Sequence, residues 1–447
     1  MAGLSTEPYK GTRDFYPDDM RVREYVFSTW RQIMHRYGYE AYDAPLLEPV
    51  EVYAAKSGQE LVNDQTYQFI DRGERRVAIR PEMTPSVSRM IAARRQELAY
   101  PARWYSIAQY MRYERPQRGR EREFWQLNLD IFGVNTIAAD AEVITIGDAI
   151  LREFGAKPEM YTIRINNRRI IEQVMRDYLE LDTVQSQLMI KLFDRKGKIP
   201  HEAFRDQAIE IFGDANAQVG LQRIASLLAV KSVDDLPEQL RENEEVAHVA
   251  HLLEQLRAAD ITNTVFDITL MRGLDYYTGT VFEFFDTHPD NNRALFGGGR
   301  YDGLVGVFGV DSVEAVGMAP GYTMIELFLR THKLLPELGP HTDAYIVVFA
   351  GAEAGAAALA RRLRGEKINV ELDITGRKVD KQLKAAVKKR VPYIIFVGDE
   401  ELSSEVYPMK HVASGVEDKY SFERIVTTVR DYRRKQKSSD DDAEFEI

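Results

Sequence analysis

The first strong hydrophobic pattern along the chain is helical. Its apolar side chains recur three or four positions apart and so lie on one helix face: Val22, Val26, Trp30, Ile33 and Tyr37. Asp18 or Asp19 could cap the first turn, since aspartate is a favoured N-cap residue. The chain therefore predicts an amphipathic helix that runs to about Tyr37.

The segments that follow are typical of strands. TYQFIDRGERRVAIR predicts a hairpin across Arg72–Gly73, and a helix with a threonine cap is predicted to begin near Thr84. RWYSIAQYMRYE and EFWQLNLDIFG then predict two strands that flank the polar loop RPQRGRER (115–122). Successive strands joined by short polar turns indicate an antiparallel sheet rather than alternating parallel βα units.

The domain organisation follows from where helical and strand patterns change. Charged helical segments replace strands from about Asn167 to Ala259, after which strand patterns resume, and this indicates an insertion within one fold. Beyond a Pro- and Gly-containing linker, AYIVVF, NVELDI and YIIFVG alternate with helices, as in a small α/β domain with a mostly parallel sheet. The predicted segments are a first domain in two parts (1–166 and 261–330), a helical insertion (167–260), a linker (331–342), an α/β domain (343–435) and an acidic, disordered tail (436–447).

Composition narrows the class of protein. The 447-residue chain has no cysteine, so disulfides, thiolate zinc sites and thiol nucleophiles are excluded. No stretch approaches the about 20 apolar residues of a membrane span, and the N-terminus lacks the apolar core of a signal peptide, so we expect a cytoplasmic protein without a membrane partner. The formal net charge of −11 argues against a general nucleic-acid coat protein. Residues 377–390 nevertheless contain many cations beside the single acid Asp380, and they are a candidate nucleic-acid surface.

Residues suited to phosphate chemistry are densest around the loop 115–122. Arg112 and Glu114 are two positions apart, so on an extended strand they would share one face. A guanidinium there can neutralise a phosphate, and a carboxylate can hold magnesium or an amino group. Phe124 follows the loop and can stack on a nucleobase, which contributes about 1–3 kcal/mol. An exposed charged hairpin is the alternative, but the uncharged aromatic strand that follows favours a binding site.

A second cluster lies in the strands after residue 260. Glycines 297–299 remove side chains where a backbone approaches a ligand or a neighbouring strand, although a tight turn is the commoner meaning. Arg272, which we expect in an apolar strand, needs an anion such as a substrate carboxylate or phosphate. Three nearby tyrosines are equally consistent with core positions: Tyr276, Tyr277 and Tyr301. Upstream, Glu82 and Thr84 share a face just before a helix.

These motifs together resemble the histidyl-tRNA synthetase family from Tyr9 to Tyr432. KGTRDFYP resembles the family's N-terminal signature, YEAYDAPLLEPVEVY resembles class II motif 1 with Pro45 at the dimer interface, and MRYERPQRGREREFWQ resembles motif 2. RGLDYYTG and GGGRYDG resemble the two histidine-specific motifs. The resemblance implies an α+β fold: a class II antiparallel-sheet catalytic domain with a helical insertion, plus a C-terminal α/β anticodon-binding domain.

The resemblance also implies a homodimer that forms histidyl-adenylate and pyrophosphate from L-histidine and ATP, then transfers histidine to the 3′ end of tRNA(His). The implied catalytic residues are Arg112 and Arg272 at the α-phosphate, with Mg²⁺ bridging the phosphates and no metal held by protein ligands alone. The implied ATP-binding residues are Arg112, Glu114, Arg120, Phe124 and Met324. The implied histidine-binding residues are Glu82, Thr84, Gln126, Asp130, Arg272, Tyr276, Tyr277 and Tyr301. The implied tRNA contacts are Gln117, Arg118, Lys378, Lys381 and Lys384.

Two positions of the implied active site depart from the family pattern, and SGVEDKY in the last domain is a milder departure. AVGMAPGYTMIELFL aligns with motif 3, where Met324 replaces an arginine that covers adenine and touches the γ-phosphate. A thioether can still pack on the purine, but the charge is lost, and we expect Arg120 and Mg²⁺ to compensate. Asp130 stands where many members have glutamate. The alternative is a synthetase-like regulatory subunit that senses histidine or uncharged tRNA, although such subunits typically lack an anticodon-binding domain.

Overall fold

The computed structural model describes residues 3–54, 64–196, 199–271, 276–291 and 293–442. The chain divides into two compact units, Met1–Leu335 and Pro336–Ile447. None of the described helices is both long and apolar enough to cross a membrane. The α+β fold class predicted from the sequence is confirmed.

The strands of the first unit form two sheets. They are β1 (Glu40–Ala41), β2 (Leu47–Pro49), β3 (Gln68–Ile70), β4 (Arg76–Ile79), β5 (Ala102–Met111), β6 (Glu123–Phe132), β7 (Tyr161–Asn167), β8 (Thr264–Phe266), β9 (Thr280–Asp286), β10 (Ala294–Arg300) and β11 (Ala315–Met318). Eight of the described strands form one sheet in the order β1-β5-β6-β11-β10-β9-β7-β8, and β2-β4-β3 form a small antiparallel sheet. In the large sheet only the outer described pairs β1/β5 and β7/β8 are parallel. The centre, β5-β6-β11-β10-β9, is antiparallel as predicted.

Helices cover this sheet and form the insertion. They are α1 (Pro17–Arg36), α2 (Val50–Ala54), α3 (Thr84–Arg94), α4 (Ile137–Glu153), α5 (Arg168–Gln173), α6 (Thr183–Arg195), α7 (His201–Phe212), α8 (Ala217–Ala229), α9 (Glu238–Arg241), α10 (Glu244–Ala258) and α11 (Tyr322–Thr331). Short 3₁₀ turns occur at Pro158–Met160, Val233–Asp235 and Val305–Phe308, and a π turn at Val174–Tyr178. The buried face of α1, with Val26, Trp30 and Ile33, belongs to the same core as Leu127 and Leu129 of β6.

Two predicted caps are wrong. In α1 the cap residue is Tyr16, because Pro17 suits the first helical position, and the Asp19 side chain instead accepts the Tyr16 N–H at 3.1 Å. In α3 the cap residue is Met83, and Thr84 is already helical with a buried side chain. Thr84 is therefore available for other contacts.

One placement on a strand is also wrong. Strand β5 ends at Met111, so Arg112 and Glu114 lie beyond it and do not share a strand face. The backbone folds over at this point: the Arg112 N–H donates to the Arg122 carbonyl at 2.8 Å, and the Glu114 N–H donates to the Arg112 carbonyl at 2.8 Å. Loop hydrogen bonds, rather than strand alternation, therefore position these two side chains.

The second unit is a five-stranded α/β layer over the described residues. Its strands are β12 (Ala344–Val348), β13 (Val370–Leu372), β14 (Tyr393–Val397), β15 (Val406–His411) and β16 (Glu417–Ser421), in the order β13-β12-β14-β15-β16. The first three are parallel as predicted, and the antiparallel β15 and β16 were not predicted. Its helices are α12 (Glu353–Gly365), α13 (Val379–Lys388), α14 (Asp399–Ser404) and α15 (Phe422–Asp442).

The predicted disorder of the tail 436–447 is wrong for its first part, because α15 continues to Asp442. No glycine or proline interrupts the sequence from Phe422 to Asp442, so nothing in it ends the helix earlier. Residues 443–447 lie outside the described chain.

Candidate active site

A cavity of about 400 Å³ opens over the centre of the large sheet. Its walls come from β6, β10, β11, the start of α11 and the loop 115–122. Most of the residues that the sequence analysis singled out line this cavity: Glu82, Thr84, Arg112, Glu114, Arg120, Phe124, Gln126, Asp130, Tyr276, Tyr277, Tyr301 and Met324. Arg272 lies outside the described residues. Gln117 and Arg118 belong to the loop but are not lining residues.

One end of the cavity contains a buried carboxylate. Asp130 accepts hydrogen bonds from the Tyr301 hydroxyl and, at 2.6 Å, from Asn128 Nδ2. Burial raises the pKa of Asp130 to about 7, and the two hydrogen bonds oppose that rise. Near neutral pH this group can therefore act as a hydrogen-bond acceptor or exchange a proton with a basic ligand.

The polar face of β6 accounts for this arrangement. Gln126, Asn128 and Asp130 alternate with the buried apolar Leu127 and Leu129, so one strand face points to the core and the other to the cavity. Gln126 Nε2 donates to the Ala319 carbonyl at 2.9 Å, which ties this face to the segment between β11 and α11. Asn128 was not predicted as a site residue, although the same period-two pattern contained it.

Gly317 of β11 pairs with Asp130 and leaves room for its carboxylate. A Cβ atom at Gly317 would overlap Asp130 Oδ1 and lie 2.6 Å from the Leu129 carbonyl oxygen, so part of the clash is with backbone. This close approach of two strands explains why glycine is needed here.

We expect Gly317→Ala to lower the free energy of unfolding by about 1–3 kcal/mol, the usual cost of overpacking a core. The melting temperature should fall correspondingly in a thermal unfolding experiment. Gly339→Ala is the matched control, because a Cβ there meets no atom within 4 Å. Equal stability of the two variants would contradict the close packing of β11 on β6.

A second group of side chains surrounds Tyr276. Its hydroxyl donates to Glu82 Oε2 at 3.0 Å, and its ring contacts those of Tyr277 and Tyr301 at centroid distances of 5.1 and 5.8 Å. Burial is the main cause that raises the pKa of Tyr276 well above its ordinary value, so the phenol stays protonated and donates. All three tyrosines pack in a hydrophobic cluster and also line the cavity. Their positions are therefore consistent with both interpretations, core residues and binding-site residues.

The other end of the cavity has an aromatic ring and guanidinium groups. Arg112 Nε donates to the Pro81 carbonyl at 2.9 Å, and its guanidinium lies 5.3 Å from the centroid of Phe124. Phe124 stacks on Tyr110 at 5.7 Å, which fixes its ring. Arg120 Nε pairs with Glu114 Oε2 at 2.8 Å. Such an end can take an anionic group beside a flat aromatic ligand.

Met324 packs directly beneath the loop. Gly119 has a φ of +74°, and a Cβ on it would overlap the Met324 sulfur, so loop and helix α11 are in close contact here. The next turn of α11 contains Glu326, which accepts from Arg13 Nη2 at 2.7 Å. Arg13 also lies 3.8 Å from Glu121 of the loop and therefore joins the N-terminal segment to both elements. Arg13 belongs to the motif KGTRDFYP, but no contact was predicted for it from the sequence.

The loop 115–122 is anchored to the turn before β10. Arg293 Nη2 donates to Gln117 Oε1 at 2.5 Å, and Arg118 Nη2 donates to Asn291 Oδ1 at 3.3 Å. Arg293 also lines the cavity but was not predicted as a site residue. No sequence signal marks it, because the contact joins positions more than 170 residues apart.

The basic segment of the second unit forms α13. Lys378, Lys381 and Lys384 are exposed, and their spacing of three places them along one side of this helix. The opposite side is held in the unit by buried Gln382 and Ala386. The cations are thus presented to solvent, as a polyanion-binding surface requires.

Comparisons with known proteins agree over both units. The family model for histidyl-tRNA synthetase matches residues 11–324, and that for the anticodon-binding domain matches residues 343–432. The histidine–tRNA ligase of Leptospira biflexa is 38% identical over 430 residues, covering 96% of this chain and 98% of that protein. The histidine–tRNA ligase of Haloarcula marismortui is 34% identical and covers 91% and 93%.

The fold has a solved counterpart as well. The crystal structure of histidyl-tRNA synthetase from Nostoc sp. PCC 7120 matches with a TM-score of 0.79 and 23% identity, covering 96% of this chain and all of that one. At that identity the likeness concerns the fold. The family models and the two relatives carry the assignment, and they confirm the resemblance found in the sequence: this chain belongs to the histidyl-tRNA synthetase family.

Proposed function

We propose that this chain is an ATP-dependent histidine–tRNA ligase. In the first reaction a carboxylate oxygen of L-histidine bonds to the α-phosphorus of ATP, the α–β phosphoanhydride bond breaks, and pyrophosphate leaves. In the second, the 3′-terminal hydroxyl of tRNA(His) attacks the histidyl carbonyl and AMP leaves. The observation that carries the proposal is a single cavity with a buried Asp130–Tyr301 pair at one end and Arg112 beside Phe124 at the other.

The carboxylate end is suited to an imidazole. An imidazole has ring nitrogens at fixed angles, and the ionised Asp130 can accept from one ring N–H. We assign the α-amino group to Glu82, Thr84 and Gln126, and the ring to Asp130, Tyr276, Tyr277 and Tyr301. An amino acid without ring nitrogens could not donate to the remaining acceptor capacity of Asp130, and sites of this type discriminate by about 10⁴ or more.

The aromatic end is suited to ATP. Phe124 would stack on adenine, Glu114 would contact its edge, and Met324 would pack against it under the loop. Arg112 would neutralise the charge that develops on the α-phosphate, and Arg120 would bind the outer phosphates. Arg272 keeps its proposed place at the α-phosphate, but it lies outside the described residues. Neither reaction needs a protein nucleophile, so alignment and charge neutralisation supply the rate.

Mg²⁺ would enter with ATP and supply further neutralisation of its phosphates. The carboxylates of Glu114, Glu121 and Glu283 line the cavity and are oxygen donors of the kind that Mg²⁺ prefers. Within the described residues, no group of three or more metal-ligating side chains is arranged to hold a metal ion. This donor set is suited to a metal ion that is bound mainly by the phosphates of ATP.

The regulatory alternative is not favoured. Its best support was the loss of charge at Met324. The chain nevertheless matches the two ligases over 96% and 91% of its length, and it includes a match to the anticodon-binding domain model. The described residues assigned to histidine all line one cavity.

The test is histidine-dependent exchange of radioactive pyrophosphate into ATP, followed by charging of tRNA(His). We expect exchange that requires histidine and Mg²⁺ and is not supported by other amino acids. Folded protein without exchange would overturn the ligase proposal and favour a regulatory subunit. Omission of tRNA separates the first reaction from the second.

We also propose a cytoplasmic homodimer formed through motif 1. Strands β2 and β3 of the small sheet expose the apolar side chains of Leu47, Phe69 and Ile70, which are 46%, 46% and 69% accessible. Exposed apolar side chains grouped on one small sheet are typical of an interface. Sedimentation equilibrium at micromolar concentration measures the oligomeric state directly.

We propose that α13 contacts the anticodon side of tRNA(His). We also propose that Gln117 and Arg118 of the loop 115–122 contact the tRNA. We expect Lys381→Glu with Lys384→Glu to raise the KM for tRNA(His) about 10-fold, because two phosphate contacts become repulsive. Pyrophosphate exchange without tRNA should stay unchanged. Lys367→Glu with Lys419→Glu makes the same charge change on exposed lysines of the same unit, and we expect a smaller effect. Equal effects of the two double variants, or loss of exchange, would contradict the placement on α13.

A further inference from the structure

Arg293 is a cation of the cavity to which neither the sequence nor the family comparison gave a role. It is half-buried and immediately precedes β10. It lines the cavity together with Arg112 and Arg120. It belongs to a different segment of the chain from Arg112 and Arg120 and is therefore a separate source of positive charge.

The partners of the arginines around the site differ in charge. Arg120 is paired with Glu114, and Arg13 with Glu326. Arg293, in contrast, donates Nη2 to the neutral amide oxygen of Gln117. A guanidinium at a cavity wall whose protein partner is neutral can bind an anionic ligand through charge-assisted hydrogen bonds.

Strand register locates Arg293 at the aromatic end. Gly317 of β11 pairs with Asp130 of β6 on one side and with Gly299 of β10 on the other, so these residues lie at one level of the sheet. Strands β6 and β10 run in the same direction, because each is antiparallel to β11. Six residues back along the chain from this level lie Phe124 on β6 and Arg293 before β10, with one register irregularity in β10 between Ala294 and Phe296. Both are thus displaced from Asp130 in the same direction along the sheet.

The uncharged start of α11 borders the same region. Thr323 and Met324 line the cavity there, and Met324 contacts the loop at Gly119. Neither side chain can neutralise a phosphate. Arg293 also contacts this loop, through Gln117, and a guanidinium has enough N–H donors to bind a second acceptor.

We infer that Arg293 binds the outer phosphates of ATP and so supplies positive charge that α11 does not supply at Met324. This inference rests on the proposed ligase function, because it deepens the assignment of the ATP end. A guanidinium has five donors in a planar fork, so Arg293 can keep its bond to Gln117 while it binds phosphate oxygens. Arg293 would then bind the loop 115–122 and the phosphates at the same time.

The test compares ligands that differ only in the outer phosphates. We expect Arg293→Gln to weaken the binding of a non-hydrolysable ATP analogue at least 10-fold in calorimetric titration, and to leave the affinity for AMP within twofold. In pyrophosphate exchange the KM for ATP should rise similarly, while the KM for histidine should not change. Arg293→Lys should recover part of the ATP affinity, because it restores the charge without the fork.

Arg36→Gln is the matched control, since Arg36 is paired with Glu153 and does not line the cavity. Unchanged ATP affinity in Arg293→Gln would overturn the inference. Equal weakening of ATP and AMP, without recovery in Arg293→Lys, would also overturn it and assign Arg293 only to holding the loop. If the wild-type protein performed no exchange, the ligase proposal would fail, while the comparison of ATP with AMP would still decide the role of Arg293.

Discussion

Asp130→Asn is expected to reduce kcat/KM for histidine at least 100-fold in pyrophosphate exchange, with little change in the KM for ATP. The variant keeps the size of the side chain but loses the negative charge that would accept an imidazole N–H. Asp130 is buried and its carboxylate is oriented by hydrogen bonds from Tyr301 and Asn128, so the acceptor is in place before a ligand binds. A hydrogen bond to a charged group contributes about 1.5–3 kcal/mol. The discrimination between substrates in comparable polar sites corresponds to a larger free-energy difference.

The pH dependence of Asp130 gives a second readout. Its pKa is raised by burial to about 7, so the wild-type KM for histidine should rise as the pH falls from 8 to 6 and the acceptor becomes protonated. Because the pKa of this carboxyl is higher in the folded than in the unfolded chain, the free energy of unfolding falls as the pH rises from the ordinary carboxyl pKa towards 7. The melting temperature of Asp130→Asn relative to wild type should therefore be more favourable at pH 8 than at pH 5.

Asp148→Asn is the control for this prediction. Asp148 is likewise a buried carboxylate that accepts a tyrosine hydroxyl, from Tyr161, but it does not line the cavity. Burial raises its pKa too. We expect a change of stability without a change in the KM for histidine. A similar loss of histidine activation in both variants would remove Asp130 from the proposed imidazole site.

Arg112→Gln is expected to lower the rate of pyrophosphate exchange about 10²–10³-fold, the range found when a group that stabilises transition-state charge is removed. Arg112 is oriented by its Nε bond to the Pro81 carbonyl and by the ring of Phe124, so the guanidinium is positioned before ATP binds. The effect should fall mainly on kcat, because the charge on the α-phosphate is greatest in the transition state. Arg112→Lys should restore only part of the rate.

The matched control is Arg103→Gln on β5, the strand that ends immediately before Arg112. Arg103 pairs with Glu142 at 2.7 Å and does not line the cavity. Exchange should remain near the wild-type rate in this variant. An Arg112→Gln protein that is folded and keeps more than about a tenth of the wild-type rate would contradict the proposed role.

Local patterns predicted the central strands well because they depend on neighbouring residues. Strand patterns identified β5 and β6, and the family resemblance, not the strand pattern, implied Gln126 and Asp130 as site residues. Strand alternation failed for Arg112 and Glu114, because backbone hydrogen bonds to the loop end β5 at Met111. A period of two holds only while the strand continues.

Contacts between distant segments could not be predicted in the same way. Arg13 and Arg293 acquire their contacts with the loop only after the chain folds, and single arginines in polar segments carry no local signal. Thr84 shows the opposite case: its sequence context predicted a cap, whereas the structure places it in the cavity wall beside Tyr276. Tertiary packing, not local preference, determined these positions.

The pairing of Gly317 with Asp130 has a consequence for how the protein acquires activity during synthesis. These partners are about 190 residues apart, and β11 inserts between β6 and β10, which makes the topology strongly non-local. Non-local pairing slows folding, because chain entropy is lost before the contacts form. The end of the cavity that contains Asp130 is completed only when β11 has left the ribosome and paired with β6, so nascent chains that end before β11 lack this part of the cavity wall.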